Sequence, residues 1–249
     1  MNTLLFDALK TAIENRQICA LATVLSGSAL GKKLLLLQDG TLLGDLGSSE
    51  INQTVQAHLL EQMKAQTPSQ ITIKLKETET PVFVDVFPPP PRLMIVGAVH
   101  IAIPLVTYAK PLGFYTIVID PRKAFANRER FPHADELILE WPADAMARLG
   151  IDVSTFVTIL SHDNKFDVPA LQVALQSPAR YIGILGSRKT HEGRLAELKE
   201  IGVDEKLFQR IHSPIGLDLG AVGAAEIALT IIAEILAVKR NKLIKTIGS

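Results

Sequence analysis

Four consecutive prolines, Pro88 to Pro91, constrain this chain more than any other feature. Each proline fixes its φ angle and lacks an amide N–H. The run can therefore neither continue a helix nor sit inside a sheet, and it favours an extended, stiff connector. The segment "FPPPPR" predicts a small α+β domain over residues 1–87, a proline linker at 88–91, and a second domain over 92–249.

Before the prolines, Leu4, Leu5, Ala8, Leu9 and Ala12 recur at helical spacing. "CALATVL" and "KLLLLQ" read as strands, and Asp39-Gly40 supplies a hairpin turn between the latter and "TLLGDL". Ser49 is placed to cap a second helix through about Met63. "ITIKLKE" alternates apolar and polar residues like a half-exposed strand, with "VFVDVF" as its neighbour. Neither "KKLLLLQ" nor "TLLGDLG" carries a nucleophile, a metal cluster or a phosphate loop.

After the prolines the pattern changes. "RLMIVGA", "FYTIVID", "ELILE", "TFVTILS" and "YIGILGS" are short apolar runs separated by helical stretches. This is the signature of a parallel sheet covered on both faces, and it predicts a Rossmann-like α/β domain. A terminal helix over residues 223–240 is apolar nearly all round, which requires deep burial or a partner subunit.

Composition narrows the function classes. With 47% hydrophobic residues the chain can bury a core without disulfides or a metal. Its 26 basic and 26 acidic residues cancel, which argues against broad electrostatic binding to nucleic acid. The single cysteine, Cys19, excludes an intrachain disulfide and a cysteine-based zinc site. "MNTLLFDALKTAIENR" lacks the marks of a signal peptide. The most apolar stretch, "IALTIIAEILAV", is interrupted by Glu234 and falls short of the ~20 residues a membrane span needs. The expectation is a cytoplasmic protein with neither nucleic acid nor membrane as partner.

In open parallel sheets ligands sit outside the carboxyl ends of the strands, and here the unexpected polar residues fall at those ends. Gly97-Ala98-Val99-His100-Ile101-Ala102 matches the first and last positions of the dinucleotide fingerprint, with Asp120 at about the offset of the ribose-binding acid. Val99 stands where a glycine would let a pyrophosphate approach. Arg122 is placed either to pair with Asp120 or to meet a phosphate. An ordinary βαβ turn explains the segment equally well. In "SHDNKFD", His162 and Asp163 could shuttle a proton, with Lys165 beside them. The alternative is a polar turn in which Asp163 or Asn164 caps the next helix and Pro169 occupies its first turn.

"GILGSRKTHEGR" approaches a Walker loop but has Arg188 where the motif demands glycine. Gly186 and Ser187 instead open a helix with Arg188 and Lys189 in its first turn, an arrangement that suits a bound anion. A solvated surface turn is the competing reading. In "RIHSPIGLDLGAVGAAEIA", His212, Asp218 and Gly220 form a further ligand lip or a packed loop.

Together, "PPPPRLMIVGAVHIA", "IDPRKAFANRERFPHADE", "SHDNKFDVPALQVAL", "YIGILGSRKTHEGRLAEL" and "RIHSPIGLDLGA" resemble the xanthine dehydrogenase accessory factor family, XdhC/CoxI, across Pro88 to Arg240. The resemblance implies a cytoplasmic, often dimeric chaperone with a Rossmann-like second domain. It would bind the molybdenum cofactor (molybdopterin) and support its sulfuration and insertion into a molybdenum hydroxylase client. The cofactor would meet the residues already singled out at the strand ends, namely Gly97, His100, Asp120, Arg122, His162, Asp163, Lys165, Gly186, Ser187, Arg188, Lys189, Asp218 and Gly220.

The chain departs from the family at Val99 and in its first domain. There "GDLGSSEIN" and "KETETPVFVDVF" lack the family's cysteines, and "VLSGSALGKKLLLL" lacks the expected arginine and proline. A thiolate is needed to ligate molybdenum or relay sulfur, and only Cys19 is present, beside an apolar strand start. The resemblance thus supports a pterin-phosphate or nucleotide pocket and leaves out the cysteine-dependent role. Two alternatives stand beside it. One is an NAD(P)-dependent oxidoreductase using Asp120 and His162, which Val99 disfavours. The other is a degenerate member that acts only as a protein partner.

Overall fold

The computed structural model describes residues 3–242 apart from 67, 76, 77 and 162. The chain divides into two units, Met1–Pro89 and Pro90–Ser249.

The first unit runs α1 (Thr3–Glu14), β1 (Cys19–Val24), β2 (Lys33–Leu37), β3 (Leu42–Gly44), α2 (Ser49–Ala65), β4 (Ser69–Leu75) and β5 (Thr78–Phe87). Its five strands form one antiparallel sheet in the order β3-β2-β1-β5-β4. Alternation along β1 assigns each residue a side. Cys19 and Leu21 pack with Leu5, Leu9 and Ala12 of α1, whereas Ala20, Ala22 and Val24 pack with Val55, Leu59 and Met63 of α2. The β2–β3 hairpin turns at Asp39-Gly40, where Asp39 accepts the Thr41 amide proton at 2.9 Å. The cap of α2 is Ser48 rather than the expected Ser49, its hydroxyl accepting from the Ile51 amide. Ser48 has extended backbone, and Ser49 already belongs to the first turn.

The second unit runs β6 (Arg92–Val96), α3 (Ala102–Ala109), β7 (Tyr115–Ile119), β8 (Glu136–Ile138), α4 (Pro142–Leu149), β9 (Thr155–Ile159), α5 (Asn164–Leu175), β10 (Tyr181–Ile184), α6 (Arg188–Glu200), β11 (Ile211–His212) and α7 (Ala224–Lys239). The six strands are all parallel, in the order β11-β10-β9-β6-β7-β8. Residues of α3 and α7 cover one face of the sheet, and those of α4, α5 and α6 cover the other. Every residue of β9 is buried, as is all of β6 after Arg92, which is why these strands read as unbroken apolar runs. The chain winds outward from β6 through β7 to β8 and then returns to place β9 on the opposite side of β6. The reversal creates a switch point between the carboxyl ends of β6 and β9.

Pro169 lies inside α5 rather than in its first turn, because Asp163 caps the helix and Asn164 begins it. The edge strand β11 is not announced by any sequence pattern. No described helix is long and apolar enough to cross a membrane.

Candidate functional site

The switch point is built on close backbone approach. Gly97 has φ +97°, and a Cβ there would lie 2.9 Å from the Ser161 amide nitrogen. A side chain would therefore be both strained and blocked, so the first fingerprint glycine lets the end of β6 seat against the end of β9.

From Ser161 a buried strut continues to the next turn. Its hydroxyl donates to Asp167 Oδ1, and Asp167 Oδ2 accepts from Arg194 Nη2 at 2.5 Å. Arg194 Nη1 donates to the Leu185 carbonyl at 2.9 Å. A Cβ on Gly186 would come within 2.7 Å of that same nitrogen. The turns after β6, β9 and β10 are thereby locked to one another. Arg194 and Asp167 side chains are both 0% exposed. A buried pair of this kind is tolerated only when paired and hydrogen-bonded throughout, yet Arg194 Nε and, one helical turn earlier, His191 Nδ1 are buried with no hydrogen-bond partner. Burial first, and then the Arg194 charge, lower the His191 pKa from its ordinary value, which favours a neutral ring.

Above this strut α6 begins. Ser187 is its N-cap and accepts the Thr190 amide proton, Arg188 is its first residue, and Lys189 is exposed. The first turn holds no acidic residue to offset the helix dipole.

At the end of β7, Asp120 turns inward. Its carboxylate is 2% exposed and receives Arg122 Nε at 2.8 Å, Arg122 Nη2 at 2.7 Å, the Arg122 amide at 3.0 Å and the Ala98 amide at 2.8 Å. Burial pushes the Asp120 pKa up, but these donors outweigh it and leave the carboxyl below its ordinary range. Of the two roles open to Arg122, pairing with Asp120 is the one adopted. Arg130 adds a brace, donating to the carbonyls of Ala98 and Phe125 at 3.0 and 2.8 Å.

Of the other residues singled out by sequence, His162 lies outside the described residues. Asp163 caps α5 through the Lys165 amide. His100, Lys165, Asp218 and Gly220 are exposed, the last two in the loop before α7. Ser161, Asp167, His191 and Arg194 are not among the site residues that sequence reasoning finds. Only the grouping of polar residues near strand ends hints at the first two, and nothing distinguishes Arg194 from the solvated face of a polar helix.

A second buried carboxylate, Glu234 of α7, accepts from Tyr181 Oη and the Gly216 amide on Oε2 at 2.5 and 2.9 Å, and meets His212 Nδ1 at 3.0 Å. Burial raises the Glu234 pKa, but His212, Tyr181 and Gly216 outweigh this and lower it. In the first unit a cavity of about 780 Å³ is lined by Ser48, Lys32, Thr72 and Lys74 among others. It contains none of the residues singled out by sequence. Cys19 is fully buried, and desolvation pushes its thiol up to about 11. Among the described residues no cluster of three His, Cys, Asp or Glu side chains is placed to hold a metal ion.

Comparison with known proteins places this architecture. The model of the XdhC Rossmann domain matches residues 93–235. The chain belongs to the XdhC family. The uncharacterized protein YqeB of Escherichia coli is 30% identical over 221 residues, covering 84% of this chain and 40% of that protein. A Bacillus subtilis protein described as a probable xanthine dehydrogenase subunit is 28% identical over 175 residues, 70% of this chain and 51% of that one. The molybdenum cofactor insertion chaperone PaoD of E. coli is 37% identical over 102 residues, 41% of this chain and 31% of that one. The chain thus spans about half or less of the length of the curated relatives it matches. A solved protein from Bacillus halodurans, described as a xanthine dehydrogenase, shares the fold with a TM-score of 0.59 at 23% identity, over 98% of both chains.

Proposed function

We propose that this XdhC-family chain is an accessory protein that holds the molybdenum cofactor for a molybdenum hydroxylase, as the names of its relatives suggest. The observation that carries this reading over a nicotinamide-dependent oxidoreductase is the Asp120–Arg122 clasp. The acid that would hold a ribose hydroxyl accepts four hydrogen bonds from within the chain and is nearly inaccessible. Val99 adds a branched side chain where the pyrophosphate would approach.

The first turn of α6 is the part suited to the cofactor's phosphate. Gly186 to Lys189 combine a helix N-terminus with a cationic sequence, above the orphaned Arg194 Nε and His191 Nδ1. Bound cofactor would supply a two-electron redox centre for hydroxylation in the client enzyme, and the chain's part is to bind and shield it. The sulfur-relay role does not fit the residues present, since a buried thiol with a raised pKa is a poor nucleophile at neutral pH. A cytoplasmic setting, a hydroxylase client and a homodimer complete the reading.

The test is co-elution. Cofactor released from a molybdenum hydroxylase should travel with the chain on gel filtration, and NAD(H) should give no heat of binding at millimolar concentration. Tight NAD(H) binding without cofactor retention would replace this reading with the oxidoreductase.

A further inference from the structure

At the carboxyl ends of β7, β8 and β9, rings and guanidinium groups follow one another in a continuous row of contacts. The Trp141 and Phe166 centroids are 5.0 Å apart, with the ring planes inclined at 58°. Arg122 Cζ follows at 5.7 Å from the Phe166 centroid and 4.4 Å from that of Phe125. Arg130 Cζ continues it, 5.6 Å from both Phe125 and Phe131. Its inner end is closed, with Phe131 buried and Arg130 tied to two carbonyls. Its outer end is open, because Trp141 is 53% exposed.

Local structure does not account for the indole. Trp141 occupies the N-cap of α4, a position that favours a small hydrogen-bonding side chain, and it makes no capping bond there. Arg122 is not free to clasp an anion with its whole fork, since Nε and Nη2 already donate to Asp120. The row of contacts instead ends at an uncovered indole, placed where a parallel sheet receives ligands.

We infer that the exposed indole of Trp141, held in place by its contact with Phe166, is a shelf that takes the flat heteroaromatic ring of a ligand, a pterin or a nucleobase. The inference deepens the cofactor reading above and rests on it for the pterin. Rings stack on aromatic side chains regardless of their hydrogen-bonding edge, and each such contact is worth about tenfold in affinity.

Trp141 is the only tryptophan in the chain, so its indole N–H resonance reports on the shelf alone. Titration of the full chain with 6-carboxypterin, and separately with AMP, should shift that resonance saturably for at least one ring. Phe166→Leu should weaken the binding about tenfold while the protein remains folded. Trp141→Leu should do the same when binding is followed on the ligand. A response to pterin identifies the shelf as the cofactor's, and a response to AMP alone identifies it as a nucleobase site. An indole resonance unmoved by either ring, or affinities unchanged in both variants, overturns the shelf. Its failure is separable from that of the cofactor reading. Retention of whole cofactor with an unmoved Trp141 resonance would sink the shelf alone, whereas a ring-shifted Trp141 without cofactor retention would sink the cofactor reading alone.

Discussion

Asp167 and Arg194 form an ion pair in which both side chains are wholly withdrawn from solvent, 2.5 Å from oxygen to nitrogen, although 27 positions separate them in sequence. Removing one partner of such a pair leaves an uncompensated charge in the interior. Arg194→Met should cost about 3–5 kcal/mol of stability, read from the urea midpoint. Arg194→Lys should recover part of it, because an ammonium can still reach the carboxylate but cannot also fork to Leu185. A loss under about 1 kcal/mol for Arg194→Met would mean that the strut does not hold the turns together.

Gly97 makes a second backbone test. With φ +97° and Ser161 in the way of a Cβ, Gly97→Ala should destabilise by roughly 1–3 kcal/mol. Gly113→Ala is the matched control. It has φ +79° but nothing within 4 Å of the added carbon, so it carries the conformational strain without the collision. Equal losses in the two variants would remove the argument from close approach.

Acid should reveal the clasped carboxylates. The pKa values of Asp120 and Glu234 are both lowered in the folded state. Their stabilisation is therefore complete above the unfolded carboxylate range of about 4 and is lost as pH falls through the lower folded values. Thermal stability should stay level from neutral pH to about 5 and then fall. Asp120→Asn should lower the neutral plateau and flatten the acid limb. An unchanged limb in that variant would show that Asp120 does not contribute to it.

Cys19 should be inert in the folded chain. A fully buried thiol whose pKa is pushed up to about 11 presents almost no thiolate at neutral pH. Labelling by a disulfide reagent should await unfolding and should follow the denaturant curve. Rapid stoichiometric labelling, or a persulfide on Cys19 after exposure to a sulfur donor, would restore the sulfur-relay role.

Much of this fold was legible because its signals are local. The parallel strands are apolar runs, being buried on both faces, and Asp39-Gly40 announces the hairpin by its turn chemistry. Two adjacent serines left the cap of α2 ambiguous by one residue, which only backbone geometry resolves. The two-residue β11 escaped because it is too short to show a pattern and forms by pairing with β10. Arg194 and Glu234 were illegible for a different reason. One sits in a helix that reads as polar and the other interrupts an apolar one, and each is buried by partners distant in sequence. The candidate site shares this split, since its glycines and cations stand in motifs while the strut beneath them is visible only in three dimensions.

The central claim, that the start of α6 receives the phosphate of the molybdenum cofactor, is tested most directly by equilibrium dialysis of the released cofactor against the parent chain, Arg188→Ala and Lys189→Ala. Cations near a helix N-terminus cost about 0.3–1 kcal/mol each without an anion, so both variants should be as stable as the parent or slightly more so. Charge-assisted bonds to a phosphate are worth roughly 1.5–3 kcal/mol, so each variant should bind the cofactor about tenfold or more weakly. Parent-like affinity in both variants would make Gly186 to Lys189 a surface turn and contradict the assignment.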